Sequence, residues 1–201
     1  MPSPLFPKPY RELLIEAFTD QEHPAYGQLA TVDERGEPRV RSIHFRYLPD
    51  KEIFAFGTNV KSAKWGQLKL QSRIAGCYLD SFRQIQFRWE GIAELHEGGT
   101  SPEQALVNQM WRLVRLPFRI GYWLDYKKLV SEQGLGPGFD FGRHPPTFGI
   151  VLIKPCLWDI YEISPENLFK ACRNIHYLKG EEWESHRVTL LHGRDLGPLQ
   201  G

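Results

Sequence analysis

The sequence predicts a mainly β fold, antiparallel strands with a few small helices, and three observations carry that expectation. Short runs of alternating apolar and polar residues recur along the chain, Gly, Pro and Asp separate them, and few stretches hold helical spacing. So many short strands beside so few helices select a barrel or a sandwich over a doubly wound sheet. The chain has neither a GxGxxG run nor a Walker-type run, and no internal repeat.

Taken in order, a Pro-rich lead opens on YRELLIEAF, residues 10–18, where Leu13, Leu14, Ala17 and Phe18 stand at the spacing of a short amphipathic helix. The stretch from Gly27 to Asn59 reads as three β segments, broken by the turns Glu34-Arg35-Gly36-Glu37-Pro38 and Pro49-Asp50. A fourth strand from Arg73 and a long fifth from Gln84 meet through Asp80-Ser81, giving a meander of consecutive antiparallel strands, with Gly91 marking a bulge. Ser101-Pro102-Glu103 is an N-cap, a first-turn proline and an acidic residue, so a helix follows and Pro117 stops it. Glycines and prolines between 134 and 146 make a long loop of the kind that often serves function. The chain returns to β at 148–163 and closes on a hairpin turned at Lys179-Gly180.

Of the 201 residues, 41% are hydrophobic and 24% charged, which predicts one globular domain over 1–201, and the segments read above divide it into a core at 25–97 and 147–191 and a helical insertion with its loop at 101–146. Lys plus Arg number 25 against 24 Asp plus Glu, so a net charge of +1 gives no general attraction to nucleic acid or to a membrane surface. Cys77, Cys156 and Cys172 have no metal or disulfide spacing, which fits a reducing compartment. Prolines interrupt any signal-type run near the N-terminus, and no stretch approaches the ~20 apolar residues of a membrane span. The expectation is a cytoplasmic protein.

Residues 56–70, FGTNVKSAKWGQLKL, pass from strand to helix through an unusual concentration of polar groups. Ser62 stands as N-cap to AKWGQLKL, and a helix N-terminus presents unpaired N–H groups and partial positive charge. Lys61 and Lys64 add full charges and Thr58 a hydroxyl, a set suited to phosphate. The same stretch also reads as a capped surface helix with solvated lysines. In the strand RVRSIHFRY, Arg39, Arg41, Ile43, Phe45 and Tyr47 share one face, and Val40, Ser42, His44 and Arg46 the other. Arg41 and Arg46 require either anionic or aromatic partners or an outlet to solvent.

Read in order, GEPRVRSIHFRYLPDKEIFAFGTNVKSAK and RQIQFRWEGIAEL resemble the pyridoxamine 5′-phosphate oxidase superfamily over about residues 25 to 97. The resemblance implies an FMN-binding split β-barrel, homodimeric, with two flavins at the subunit interface. It assigns the FMN phosphate to Arg41, reached from the Gly36-Glu37-Pro38 turn, and implies FMN contacts from Thr58 and Lys64 at the Thr-Asn and Ser-x-Lys pattern, with Ser62 at the helix start. Ser42 shares Arg41's strand. Arg46 falls on the family's strand lysine, Gln86 on the glutamine that faces the flavin, Tyr161 on an aromatic beside it, and Arg173 on the one retained arginine of the family's C-terminal Arg-x-His-x-Arg run.

The departures are specific. Ala63 replaces an arginine beside the lysine, His176 is out of register, and Lys127 and Lys128 stand where a glutamine and a serine are expected. The flavin-side residues match and the vitamin-side ones largely do not, which resembles the phosphate-oxidase-related branch of the superfamily. The implied activity is FMN-dependent hydride transfer with an unidentified small substrate. A flavin carrier or sensor without turnover, or a split barrel holding another phosphate ligand or a tetrapyrrole, are the alternatives. Trp89, Trp123 and Trp158 read as core or interface residues, and His44 as a hydrogen-bonded strand histidine.

Overall fold

The computed structural model describes residues 4–20, 22–97, 104–127, 140–163 and 171–188. A 3₁₀ turn, Lys8–Tyr10, leads into α1 (Arg11–Thr19). Then follow β1 (Tyr26–Val32), β2 (Pro38–His44), β3 (Arg46–Leu48), β4 (Ile53–Asn59), α2 (Ala63–Leu70), β5 (Arg73–Asp80) and β6 (Ile85–Glu97). The rest comprises α3 (Gln104–Arg112), α4 (Leu116–Lys127), β7 (Phe148–Glu162), β8 (Cys172–Lys179) and β9 (Glu182–Val188).

The sheet runs β2-β1-β5-β6-β7-β4-β3, with β8 added to β7 and β9 to β8, and every pair is antiparallel. Its two ends, β2 and β3, are successive pieces of chain with Phe45 between them. A path whose ends are covalently continuous has to curl until they meet. The expected middle segment of the first three is thus two strands, split at Phe45. The expected antiparallel pairing of the fourth and fifth strands is present as β5–β6, but the meander does not extend back to β4: β5 joins β1 on its other side, because α2 carries the chain from the end of β4 across to the other side of the sheet.

The closure is incomplete in one place. β3 pairs with β4 over Arg46–Leu48 and Ile53–Ala55, and β4 continues through Phe56–Asn59 paired to β7 on its other side. Among the described residues, β2 pairs with β1 alone. A seam therefore lies open between β2 and the second half of β4, with backbone edges on both sides.

Alternation sorts the side chains as the strand pattern predicts. The inner row Leu29, Gly76, Trp89, Trp158 crosses four adjacent strands, and the large rings Phe45, Phe54 and Phe56 fill the curl with it. From the N-terminal lead and α1, Phe6, Leu14 and Phe18 plug one end, Phe18 lying 4.9 Å from Phe54 between ring centroids. Each such fully buried side chain contributes about 1.5–3 kcal/mol. Gly76 is obligatory here, because a Cβ on it would stand 2.2 Å from the Trp89 ring. The expected bulge is present where the β6–β7 register shifts between Glu90 and Gly91.

A second core lies outside the curl, where Leu48, Ala55, Phe148 and Ile150 meet Leu106, Val107, Met110 and Trp111 of α3. The helical insertion is thereby held over the β3–β4–β7 surface, next to the seam. Ser101-Pro102-Glu103 lies outside the described residues. Pro117, expected to stop a helix, sits in the first turn of α4, where a missing N–H costs nothing. Gly180, at φ 63°, turns the β8–β9 hairpin where expected. No helix among the described residues is long and apolar enough to cross a membrane.

Candidate functional site

A cavity of about 350 Å³ occupies the open seam. Strand β2 contributes Arg41, Ser42, Ile43 and His44, β3 contributes Arg46, and β4 contributes Gly57 and Thr58. Lys64 enters from α2 and Tyr26 from β1, while Met110 of α3, Val114 and Arg115 of the connecting turn, and Phe118 and Tyr122 of α4 close it from above. Four cations line this space, and among the described residues no Asp or Glu does. Five of the nine residues singled out in the sequence, Arg41, Ser42, Arg46, Thr58 and Lys64, are thus brought together.

The corner between β4 and α2 is the more enclosed. Thr58 is 3% exposed, and its Oγ1 accepts a hydrogen bond from Lys64 Nζ at 2.9 Å. Arg41 Nη1 donates to Thr31 Oγ1 at 2.5 Å, and Nη2 donates to Gln67 Oε1 at 2.9 Å. All these acceptors are neutral. Burial pulls the Arg41 guanidinium below its usual range, and burial together with Arg41 does the same to the Lys64 ammonium. Ser62 holds the N-cap backbone position of α2, but its hydroxyl makes no capping bond and lies 3.5 Å from Thr58 Oγ1 instead. The start of α2 therefore keeps N–H groups without a side-chain acceptor beside two charged groups whose described partners are neutral.

The other end is wider and aromatic. Arg46 is only 6% exposed and donates from Nη2 to the Leu113 carbonyl at 2.9 Å, which ties β3 to the turn after α3. The His44 ring faces Tyr26 with centroids 5.0 Å apart. Burial, then Arg46 and Arg115, push His44 down to about 4, so its imidazole is neutral near pH 7. Burial raises the Tyr122 phenol to about 12.

Gln86, Tyr161 and Arg173 do not reach this cavity. They stand in register across β6, β7 and β8, forming one row on the outer face of the sheet. The adjoining row is Ser42, Gln28, Cys77, Arg88, Asp159 and Ile175, so this face extends from β8 to β2. Asp159 organises it: Arg173 grips the carboxylate with Nε on Oδ1 and Nη2 on Oδ2, both at 2.9 Å, and Arg88 shares Oδ2. The predicted residues thus form two groups on one chain, one in the seam and one on the outer sheet face.

Sequence reasoning left Tyr26, Arg115, Phe118 and Tyr122 out of the site, and read His44 as a strand residue only. Nothing local marks them, since their convergence depends on where α3 and α4 pack. Trp89 and Trp158 are core residues, 1% and 0% exposed.

Residues 7–97 match the family model for the pyridoxamine 5′-phosphate oxidase FMN-binding domain. Along a longer stretch, the chain is 28% identical over 191 residues to a pyridoxine/pyridoxamine 5′-phosphate oxidase of Anaeromyxobacter dehalogenans, covering 87% of this chain and 90% of that protein. The fold of a pyridoxamine 5′-phosphate oxidase-related, FMN binding protein from Nostoc punctiforme superposes with a TM-score of 0.73 at 25% identity, over 90% of this chain and 96% of that one. Over residues 7–97, and along most of its length, the chain is similar to pyridoxamine 5′-phosphate oxidase-like proteins. A pyridoxine/pyridoxamine 5′-phosphate oxidase of Chromohalobacter salexigens shares 27% identity over 80% of this chain and 77% of its own length. PhzG from Burkholderia lata, solved with tetrahydrophenazine-1-carboxylic acid, has the same fold at a TM-score of 0.64 and 18% identity, over 90% of this chain and 89% of that one. In this chain the seam cavity lies where the matched segment meets α3 and α4.

Proposed function

We propose that this chain is an FMN-binding oxidoreductase of the phosphate-oxidase-related kind, and that the flavin phosphate sits in the corner between β4 and α2. The observation that carries the reading is the pair Arg41 and Lys64: half-buried cations, lining one cavity, whose described hydrogen-bond partners are all neutral. Such charges are costly unless an anion completes them. Phosphate fits the set, since its oxygens can take the guanidinium, the ammonium, the Thr58 and Ser62 hydroxyls and the free N–H groups of α2 together. Ala63 supplies no further cation, so Arg41 and Lys64 carry the charge between them.

FMN, when bound, supplies the hydride chemistry; the protein supplies position, charge and exclusion of water. Arg46, nearly buried and fixed on the Leu113 carbonyl, would hold the electron-rich edge of the ring system and favour its reduced, anionic form. Met110, Val114 and Tyr122 exclude water from above.

The two separated groups of family residues support a homodimer forming a split barrel pair. Gln86, Tyr161 and Arg173 would meet the flavin of the other subunit, which explains why they lie on an outer sheet face with Asp159 holding Arg173 in place. A single domain and a cytoplasmic setting complete the reading. Purification under native conditions tests it: a yellow protein that releases FMN on denaturation, identified by mass, is expected, and a colourless protein that FMN cannot reconstitute rejects it.

A further inference from the structure

Three successive carbonyls in the link between α3 and α4 are held by two arginines that approach from opposite sides. The helix α3 ends at Arg112, where the last carbonyls have no partner within the helix. Arg119, in the first turn of α4, donates from Nη2 to the Arg112 carbonyl and from Nε to the Val114 carbonyl, both at 2.7 Å. Between those two, the Leu113 carbonyl accepts from Arg46 Nη2 of β3 at 2.9 Å. The Arg119 guanidinium is itself fixed: Nη1 donates to the Phe141 carbonyl at 3.0 Å, which also accepts from Trp111 Nε1 at 3.1 Å, and the cation lies 5.6 Å from the centre of the Trp111 ring. Trp111 is fully buried in the second core, so this clamp stands on a packed base.

The alternation along the link has a consequence for Arg46. Peptide units are planar, so holding the carbonyls on either side of Leu113 leaves its own carbonyl little freedom to turn. That carbonyl is, among the described residues, the acceptor that gives the nearly buried Arg46 guanidinium its direction. Arg46 lines the seam cavity and Arg119 does not. We propose that Arg119 is a positioning residue for the flavin: it clamps the Arg112 and Val114 carbonyls, these set the Leu113 carbonyl, and through it Arg46 is held toward the electron-rich edge of the ring system. Arg46 keeps its full charge in this arrangement, because a neutral carbonyl orients a guanidinium without neutralising it. What Arg119 sets is where that charge points, and hence how strongly the protein favours reduced, anionic flavin over oxidised flavin. The inference rests on the FMN reading, which puts that edge at Arg46.

The midpoint potential of FMN bound to the saturated protein, measured against redox dyes, tests it in a double-variant cycle of Arg46→Gln and Arg119→Gln, with Arg119→Lys alongside. Arg119→Gln should lower the preference for reduced over oxidised FMN by about tenfold, a fall of about 30 mV for the two-electron couple. Affinity for oxidised FMN should stay within about threefold, because the phosphate grip between β4 and α2 is untouched. Arg46→Gln should lower the preference at least as far, and adding Arg119→Gln to it should change the preference by less than about twofold, since Arg119 acts through Arg46. Arg119→Lys keeps the charge and loses the fork, so it should show at least about half of the same fall. It also serves if Arg119→Gln does not fold, its fall again vanishing in the Arg46→Gln background. A potential unchanged by either Arg119 substitution, equal falls with and without Arg46, or a lysine variant matching wild type overturns the positioning role. A chain that binds no FMN removes the FMN reading and this inference together; bound FMN with any of those potentials removes this inference alone.

Discussion

Lys64 reaches back across the strand-to-helix corner to Thr58, its Nζ 2.9 Å from the threonine hydroxyl, in a cavity that no described carboxylate lines. The contact fixes the ammonium at the start of α2 without neutralising it. Removing a partly buried, uncompensated charge costs the apoprotein little. Lys64→Ala and Arg41→Ala should therefore each weaken FMN binding by about 10- to 100-fold, the loss of a charge-assisted hydrogen bond, with apoprotein melting within a few degrees of wild type. Flavin fluorescence quenching and thermal melts measure the two sides.

Asp159 binds Arg173 through both carboxylate oxygens and Arg88 through one, and is 8% exposed. Asp159→Asn should cost about 1–3 kcal/mol of stability, because two guanidiniums lose the carboxylate charge and one of its acceptor oxygens becomes an N–H donor. In the proposed dimer it should also weaken self-association or FMN affinity, as Arg173 loses its fixed direction. Denaturant titration with analytical ultracentrifugation separates the effects.

Gly76 leaves no room for a side chain, with the Trp89 ring 2.2 Å from where a Cβ would stand. Gly76→Ala should destabilise by about 1–3 kcal/mol, the cost of overpacking a filled core. The chemical denaturation midpoint should fall, and a midpoint equal to wild type would contradict the inner row described for Leu29, Gly76, Trp89 and Trp158.

His44 carries a pH prediction. Its folded pKa is pushed down to about 4 by burial and by Arg46 and Arg115, against an ordinary 6.5. As pH falls below 6.5 the unfolded chain takes up a proton that the folded protein refuses until about 4, so His44 lowers stability progressively across that window and is neutral to it at higher pH. His44→Leu should flatten the pH dependence of melting between about 6.5 and 4 relative to wild type; parallel curves would place the imidazole in solvent.

Where the candidate site was legible in the sequence, the relevant groups lay close along the chain. Thr58, Ser62 and Lys64 span one strand-to-helix junction, and the local rules for strand ends and helix starts place them in one corner. Arg41 joins them because a hairpin turn sets the register of β2 against β1, bringing it to Thr31 and Gln67. The break at Phe45 was not legible, because alternation continues through it: Phe45 and Tyr47 still face the core and Arg46 the helices. The separation of Gln86, Tyr161 and Arg173 from the cavity follows from the order of seven strands, which no single segment encodes. Arg115 and Phe118 were hidden for a similar reason, since α3 is positioned by the nonlocal packing of Trp111 and Met110 on Phe148 and Ile150. The cap at Ser62 was half right: the backbone position is as read, and the hydroxyl turns to Thr58.

The phosphate grip itself is tested most directly by titrating the apoprotein with FMN and with riboflavin, which lacks the phosphate. FMN should bind at least about 100-fold more tightly, a difference of about 2.7 kcal/mol, and the difference should collapse in the Arg41→Ala, Lys64→Ala double variant. Equal affinities for the two flavins in wild type would contradict it.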